Sequence, residues 1–318
     1  MSTPRPERPF LGAYALVAGL PADDEAPAYA ALAELGIAGI ELPVGSADAG
    51  SSWFRRTVHP DWDLVVTCIP TVMQRLGKDP AYGLASADPD GRRAALDDVA
   101  VARDLARRLA DDSGRSRVRA VQVNSAPRGD LASVDAFARS LDELGGWDLA
   151  GATVAVEHCD APRPGRPFSK GFLELTDELT ALGGRPAGQF GLTVNWGRSA
   201  IEGRSATTPV EHVRAAAEAG LLAGIMFSGV TGSPAATAVW GEPWEDGHMA
   251  PRGDDPALAI SSESLLGPDE IAETLRAAGP DLGYVGVKVT VRPPDAGVAQ
   301  RIAVARAALA QVTRALGA

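Results

Sequence analysis

The chain has 318 residues, 45% of them hydrophobic and 22% charged, an ordinary globular balance that excludes disorder, collagen and coiled coil. Its 30 basic and 41 acidic side chains leave a net charge of −11, and no Lys/Arg run offers the basic patch that a phosphate backbone needs, so nucleic acid is excluded as a partner. No apolar run approaches the roughly 18 residues of a membrane helix, so no membrane partner is expected.

In chain order, residues 1–9 form a proline-rich polar segment without the apolar core of a secretory signal, and are expected to be a flexible arm. Eight short apolar, β-branched runs follow, each with a turn and a helical pattern behind it. They are Phe10 to Ala18, Ile37 to Leu42, Asp63 to Ile69, Val118 to Ser125, Thr153 to His158, Gly191 to Asn195, Ala223 to Ser228 and Tyr284 to Thr290. Runs this continuous predict parallel strands buried on both faces. The clearest helices are Pro89 to Ala110, with Asp88 as cap and Leu96, Val99, Ala102, Leu105 and Leu109 on one stripe, and the last, where Val298, Ile302, Ala305, Leu309, Val312 and Leu316 repeat behind Pro293, Pro294 and Asp295. Only Cys68 and Cys159 are present, too few for a disulfide framework, which points to a reducing, cytoplasmic compartment.

Eight strand–helix units predict an α/β fold: a (β/α)8 TIM barrel, one domain over residues 10–318, with long loops after strands three and seven. A doubly wound open sheet is the other arrangement of such units, but neither dinucleotide-binding nor P-loop glycine patterns occur. The larger loop, Ser228 to Ser262, carries Trp240-Gly241-Glu242-Pro243-Trp244-Glu245-Asp246-Gly247-His248. Loops of this length on a barrel serve the site at the carboxyl ends of the strands.

The strand ends and that loop supply the candidate residues. Glu157 and Lys288 are the candidate catalytic pair: a charge at the end of a buried strand is costly unless paired or in contact with ligand. A desolvated lysine of lowered pKa would move a proton beside a sugar hydroxyl or carbonyl, or form a Schiff base, while the glutamate orients it. A purely structural ion pair is the plainer reading. Candidate binding residues are Tyr14, Glu41, Gln122, Asn124, His158, Asn195, Arg198, Ser228, Trp240, Glu242, Trp244 and His248. His158 follows Glu157 directly and so faces the other side of the strand unless the strand has ended. The tryptophans either wall the site or pack the loop down. Arg198, Arg204 and Lys170 are anion-binding candidates or solvated loop charges, and only Arg198 is retained. His59 and His212 are expected at the surface.

These residues carry a resemblance. Gly36-Ile37-Ala38-Gly39-Ile40-Glu41-Leu42 is similar to the second-strand glutamate signature, and Val154-Ala155-Val156-Glu157-His158 to the fifth-strand glutamate, of the xylose-isomerase-like barrels of sugar isomerases and epimerases. Trp240-Gly241-Glu242-Pro243-Trp244 and Thr193-Val194-Asn195-Trp196-Gly197-Arg198 resemble an uncharacterised family with a domain of unknown function. The resemblance implies a small carbohydrate as substrate, a homo-oligomer as a further partner, and a divalent metal held by Glu, Asp, His and Glu on strands five to eight. By position Glu157 matches the first ligand, while Asn195, Phe227 or Ser228, and Lys288 replace the others. Two glutamates and an aspartate give −3 against a dication, whereas Glu157, Asn195, Ser228 and Lys288 sum to zero. At about 4 Å and an effective dielectric near 20, lysine–dication repulsion is about 8 kcal/mol.

The expected activity is therefore isomerase, epimerase or lyase chemistry by proton transfer, with no metal and no other cofactor. Two alternatives stand beside it. One is a divalent-metal enzyme (manganese, magnesium, cobalt or zinc) with a displaced site built from His158, Asp160 or His248. The other is a non-catalytic carbohydrate-binding barrel.

Overall fold

A computed structural model of the chain describes residues 6–317. Its eight strands are β1 (Phe10–Leu11), β2 (Gly39–Pro43), β3 (Asp63–Thr67), β4 (Val118–Val123), β5 (Thr153–His158), β6 (Phe190–Asn195), β7 (Leu222–Phe227) and β8 (Tyr284–Val287). All neighbours pair in parallel and β8 closes onto β1, Phe10 opposite Gly286, so the sheet is a closed barrel in sequence order. This is the (β/α)8 barrel expected from the alternation.

Side chains alternate across a strand, and that splits the core in two. Ile40, Leu64, Val66, Val121, Val154, Val156, Leu192, Ile225 and Val285 face outward into the layer shared with the helices. Phe10, Val65, Ala120, Ala155, Met226 and Tyr284 face inward and plug the barrel floor. Gly224 makes room for the largest of these: a Cβ there would lie 2.4 Å from Tyr284 Cζ. Two residues beyond Val65, Ala120 and Ala155 come Thr67, Gln122 and Glu157, and Glu41 and Lys288 stand with them at the ends of β2 and β8, all five buried. The floor is apolar and the storey above it is polar.

Several boundaries differ from the sequence reading. β1 stops at Leu11 and the rest of its apolar run folds as a helix, Ala13–Val17, that carries Tyr14. β3 ends before Cys68, and Ile69–Leu76 is a helix, so the long connection after strand three is partly ordered by its own helix. β8 ends at Val287, yet the Lys288 amide still donates to Phe227 O at 2.8 Å and keeps the lysine in register. Asp88 caps the helix Pro89–Ser113, and Gly114 ends it in the left-handed region. The final helix spans Val298–Leu316. Of the arm assigned to residues 1–9, residues 1–5 lie outside the described residues, whereas Pro9 is buried and its carbonyl accepts from the Ala38 amide at 3.0 Å. Among the described residues no helix is long and apolar enough to cross a membrane.

Candidate functional site

At the carboxyl end of the barrel a chain of charges crosses the mouth. Lys288 points inward, fully buried, and its Nζ donates to Glu41 Oε1 at 3.0 Å, with Glu157 Oε1 at 4.0 Å and the Tyr14 ring centre at 5.2 Å. Gly12 permits this course, because a Cβ there would lie 2.8 Å from Lys288 Cγ. The nearest cation to Glu157 is Arg198, Nη1 to Oε1 at 2.8 Å, and the same oxygen accepts from Asn195 Nδ2 at 3.2 Å. Arg198 Nε and Lys170 Nζ both reach Asp246 Oδ2, at 3.2 and 2.9 Å. His248 Nδ1 lies 3.2 Å from Asp246 Oδ1 and 2.9 Å from Ser228 Oγ. Three carboxylates thus meet three cations. Glu157 and Lys288 come together as expected, but each has a closer partner.

Local structure explains why Arg198 is in the mouth at all. β6 ends at Asn195, whose side chain accepts from the Arg198 amide at 3.4 Å and caps the helix Trp196–Gly203. That turn brings Arg198 to Glu157 and Asp246, and Gly197 lets the chain sit close, since a Cβ there would be 2.6 Å from Ser228 O. Asp246, in the segment after β7, closes the charge chain from above.

These pairings decide the protonation states. Burial alone lowers Lys288, but Glu41, Tyr14 and Glu157 outweigh it and hold the ammonium above its ordinary value. The lowered-pKa lysine expected from the sequence is therefore overturned: the positively charged group was buried together with its counter-charge. Glu157 is pulled down to about 2, Arg198 and Lys288 overcoming burial. Glu41 goes the other way, because its burial outweighs the attraction of Lys288 and raises it. Burial also lowers His248, against the pull of Asp246.

Four buried polar atoms have no partner along one arc of the mouth: Glu41 Oε2, Thr67 Oγ1, Gln122 Oε1 and Asn124 Oδ1, at the ends of β2, β3 and β4. Gln122 Nε2 is tied to Tyr284 OH at 3.0 Å and Asn124 Nδ2 to Glu157 O at 3.3 Å, which turns both amide oxygens away from those bonds. Such orphaned acceptors are rare in folded proteins and mark a place for ligand or water. A cavity of about 510 Å³, lined by Tyr14, Glu25, Tyr29, Ser46 and Trp53 among others, shares Tyr14 with the mouth but is not lined by any of these four residues.

The metal implied for this fold does not fit the mouth. The Arg198 guanidinium is 2.8 Å from Glu157, the one matching ligand, and the Lys288 ammonium is 4.0 Å from it. Of the two residues at the histidine position, Phe227 faces the outer core and Ser228 lies within reach of His248. Asp160, a candidate for a displaced site, accepts from the Ser169 and Lys170 amides and braces its own loop.

Other expected residues lie elsewhere. His158 is on the outer face of β5, buried against Glu178 at 2.7 Å and Glu202 at 3.2 Å, so it leaves the mouth set. The alternation of the strand forces this. Trp240 is buried with Ala236 and Met249 and donates to Ile260 O at 2.9 Å, pinning the loop and forming no wall of the site. Glu242 is exposed. Trp244 is half-buried beneath the Arg204 guanidinium, 5.1 Å from its ring centre. His59 is exposed as expected, but His212 is not: its side chain is 12% exposed and it stands edge-on to His158. The sequence reading missed Thr67, although its position two residues after inward-facing Val65 signals it.

Comparison with known proteins agrees with this architecture. D-psicose 3-epimerase from Clostridium cellulolyticum H10 superposes with a TM-score of 0.55 at 16% identity, covering 92% of this chain and 94% of that one. An L-ribulose 3-epimerase gives 0.59 at 13% identity, covering 98% and 94%. The IOLI protein with a bound zinc atom gives 0.59 at 11%, covering 96% and 98%. At these identities the shared property is the (β/α)8 barrel fold alone. An uncharacterised protein of Salmonella typhimurium, STM3670, is 33% identical over 264 residues, 81% of this chain and 79% of that protein. The model of a family described as a domain of unknown function, DUF4862, matches residues 10–304, and the chain belongs to that family.

Proposed function

We propose that the protein is a carbohydrate isomerase or epimerase that moves a proton at the barrel mouth, with two of its own cations where related barrels hold an ion. The observation that carries this reading is the set of four unpartnered acceptors, Glu41 Oε2, Thr67 Oγ1, Gln122 Oε1 and Asn124 Oδ1, at the ends of β2, β3 and β4, the same barrel end that holds the paired Lys288 and Arg198. Acceptors call for donors, and a polyhydroxylated ligand brings several hydroxyls at sugar-ring spacing. The structural likeness to sugar epimerases supports the same substrate class by analogy.

The chemistry divides between the residues. Glu41 is the acid/base group: Oε1 is held by Lys288, Oε2 is free, and burial raises its pKa toward the range useful for proton transfer. It takes the proton from the carbon beside a carbonyl; the C–H electron pair becomes the enolate double bond and the carbonyl pair moves to oxygen. Lys288 and Arg198 supply the positive charge that stabilises that negative oxygen without reorganisation. When the hydroxyl proton of the reacting carbon passes to the former carbonyl oxygen, return of the carbon proton from Glu41 to the former carbonyl carbon gives isomerisation; delivery of a proton from a water on the opposite face to the original carbon gives epimerisation. Glu157, anionic throughout, anchors Arg198. The expected pair thus separates, Lys288 serving the oxyanion and Glu157 holding the arginine.

The test is deuterium exchange from D2O into free ketoses and aldoses, followed by NMR. The native chain incorporates deuterium beside the carbonyl of its substrate, and Glu41→Gln abolishes incorporation while still binding. Ligand-induced thermal stabilisation with no exchange on any sugar would instead identify a binding barrel.

A further inference from the structure

Outside the barrel wall, behind β5, three side chains from three elements converge: His158 at the end of β5, Glu202 on the helix Trp196–Gly203, and His212 on the helix Thr208–Glu218. One ligand atom from each lies within 4.8 Å of the others. His158 Nε2 is 3.2 Å from Glu202 Oε2, and His212 Nε2 is 3.9 Å from Glu202 Oε1.

The two rings are aimed by other groups. His158 Nδ1 is engaged by Glu178 Oε2 at 2.7 Å, and Glu178 in turn accepts from the Ser125 hydroxyl at 2.5 Å. His212 Nδ1 meets Ser199 Oγ at 3.0 Å. With Nδ1 occupied on both rings, both present Nε2 to the same carboxylate. A carboxylate or hydroxyl behind each imidazole is the arrangement that orients histidine ligands toward a metal.

We propose that His158, Glu202 and His212 bind one divalent transition-metal ion of the zinc class on the outer face of the barrel. Two imidazoles and a carboxylate are a ligand set for zinc, leaving one position for water. Arg163 also donates to Glu202 Oε1, and the Ala161 amide to Oε2 at 2.9 Å. Neither blocks the ion, because an ionised carboxylate has about four acceptor sites. Arg163 is itself shared with Glu174. Against the pull of burial, Glu178 and Glu202 hold the His158 imidazole protonated, its pKa raised to about 10, so the ion must displace that proton. With it gone, Glu174, Glu178 and Glu202 against Arg163 leave 3 − 1 = 2 negative charges, the complement of one dication. The ion would staple β5, which carries Glu157, to the helix that carries Arg198, and so brace the mouth from behind without entering it.

The test begins with the native chain, stripped by a chelator, re-equilibrated with zinc chloride and desalted. One zinc per chain is expected, with a rise in melting temperature, and cobalt(II) substitution is expected to give the intense visible absorption of a four-coordinate site. Removing an orienting partner costs roughly 10- to 100-fold in metal affinity, so removal of a ligand by His212→Gln or Glu202→Gln is expected to cost at least about 100-fold. A native chain that takes up no zinc and gives no cobalt band overturns the proposal, as does a folded His212→Gln chain that binds as tightly as its parent. Because cobalt is read on the unaltered protein, failure of a variant to fold leaves the outcome decided. The site does not depend on the activity proposed above, and either can fail alone.

Discussion

At Lys288 burial and pairing pull in opposite directions, and pairing is the larger effect. An isolated ammonium in a fully desolvated position would lose its proton, but Glu41 at 3.0 Å and Glu157 at 4.0 Å keep it charged. Removing one member of such a buried pair costs about 3–5 kcal/mol, because the other is left uncompensated. Lys288→Met is therefore expected to lower stability by about that amount at neutral pH. Adding Glu41→Gln to it is expected to restore much of the loss, a coupling that urea denaturation of the two single variants and the double variant would measure. Glu41 also sets the pH dependence. Its pKa is raised and its base form is the anion, so activity is expected to fall as pH drops through a value above the usual carboxylate range. A kcat/KM profile with its acid limb at an ordinary glutamate value would remove Glu41 from the role of base.

Among the elements, the segment after β7 is tied to the mouth through Asp246. Asp246 gathers Arg198, Lys170 and His248, and these neighbours overcome burial to hold it well below the ordinary aspartate value. Charge-assisted hydrogen bonds contribute about 1.5–3 kcal/mol each. Asp246→Asn is expected to free the segment locally, speeding limited proteolysis between residues 228 and 262 by about tenfold or more while the barrel stays folded. Equal cleavage rates would show that the apolar seat of Trp240 holds the loop unaided. How far such elements are legible in the sequence depends on what fixes them. β5 was readable to the residue because its run is β-branched and uninterrupted, and the period of two also put His158 behind Glu157. β1 was misjudged because Phe10 to Ala18 is apolar throughout, and a short apolar run reads equally as strand or helix. The partnership of Arg198 with Glu157 is not legible, since 41 positions separate them and it is the turn capped by Asn195 that brings the arginine back to β5. His212 escaped for the same reason: its partners lie on another helix and on β5.

The molecule as a whole stacks an apolar floor beneath a charged mouth, and Tyr284 joins the two storeys. Its ring fills the plug beside Phe10, 6.0 Å between centres, while its hydroxyl binds Gln122 Nε2 at 3.0 Å and the Thr193 hydroxyl. Gln122 in turn offers an unpartnered oxygen to the mouth. Packing in the floor should therefore be felt where substrate binds, and Gly224 gives the means to test it. A Cβ at that position would come within 2.4 Å of Tyr284 Cζ and 2.6 Å of both adjacent ring carbons, so the ring must move. Overpacking of this kind costs about 1–3 kcal/mol. Gly224→Ala is expected to lower the melting temperature by a few degrees, and to weaken sugar binding through displacement of the Tyr284 hydroxyl and of Gln122 with it. Tyr284→Phe, which keeps the plug but frees Gln122, is expected to weaken binding with a smaller packing penalty. If Gly224→Ala lowers the melting temperature and leaves ligand affinity unchanged, the floor and the mouth are independent layers, and Tyr284 serves the core alone.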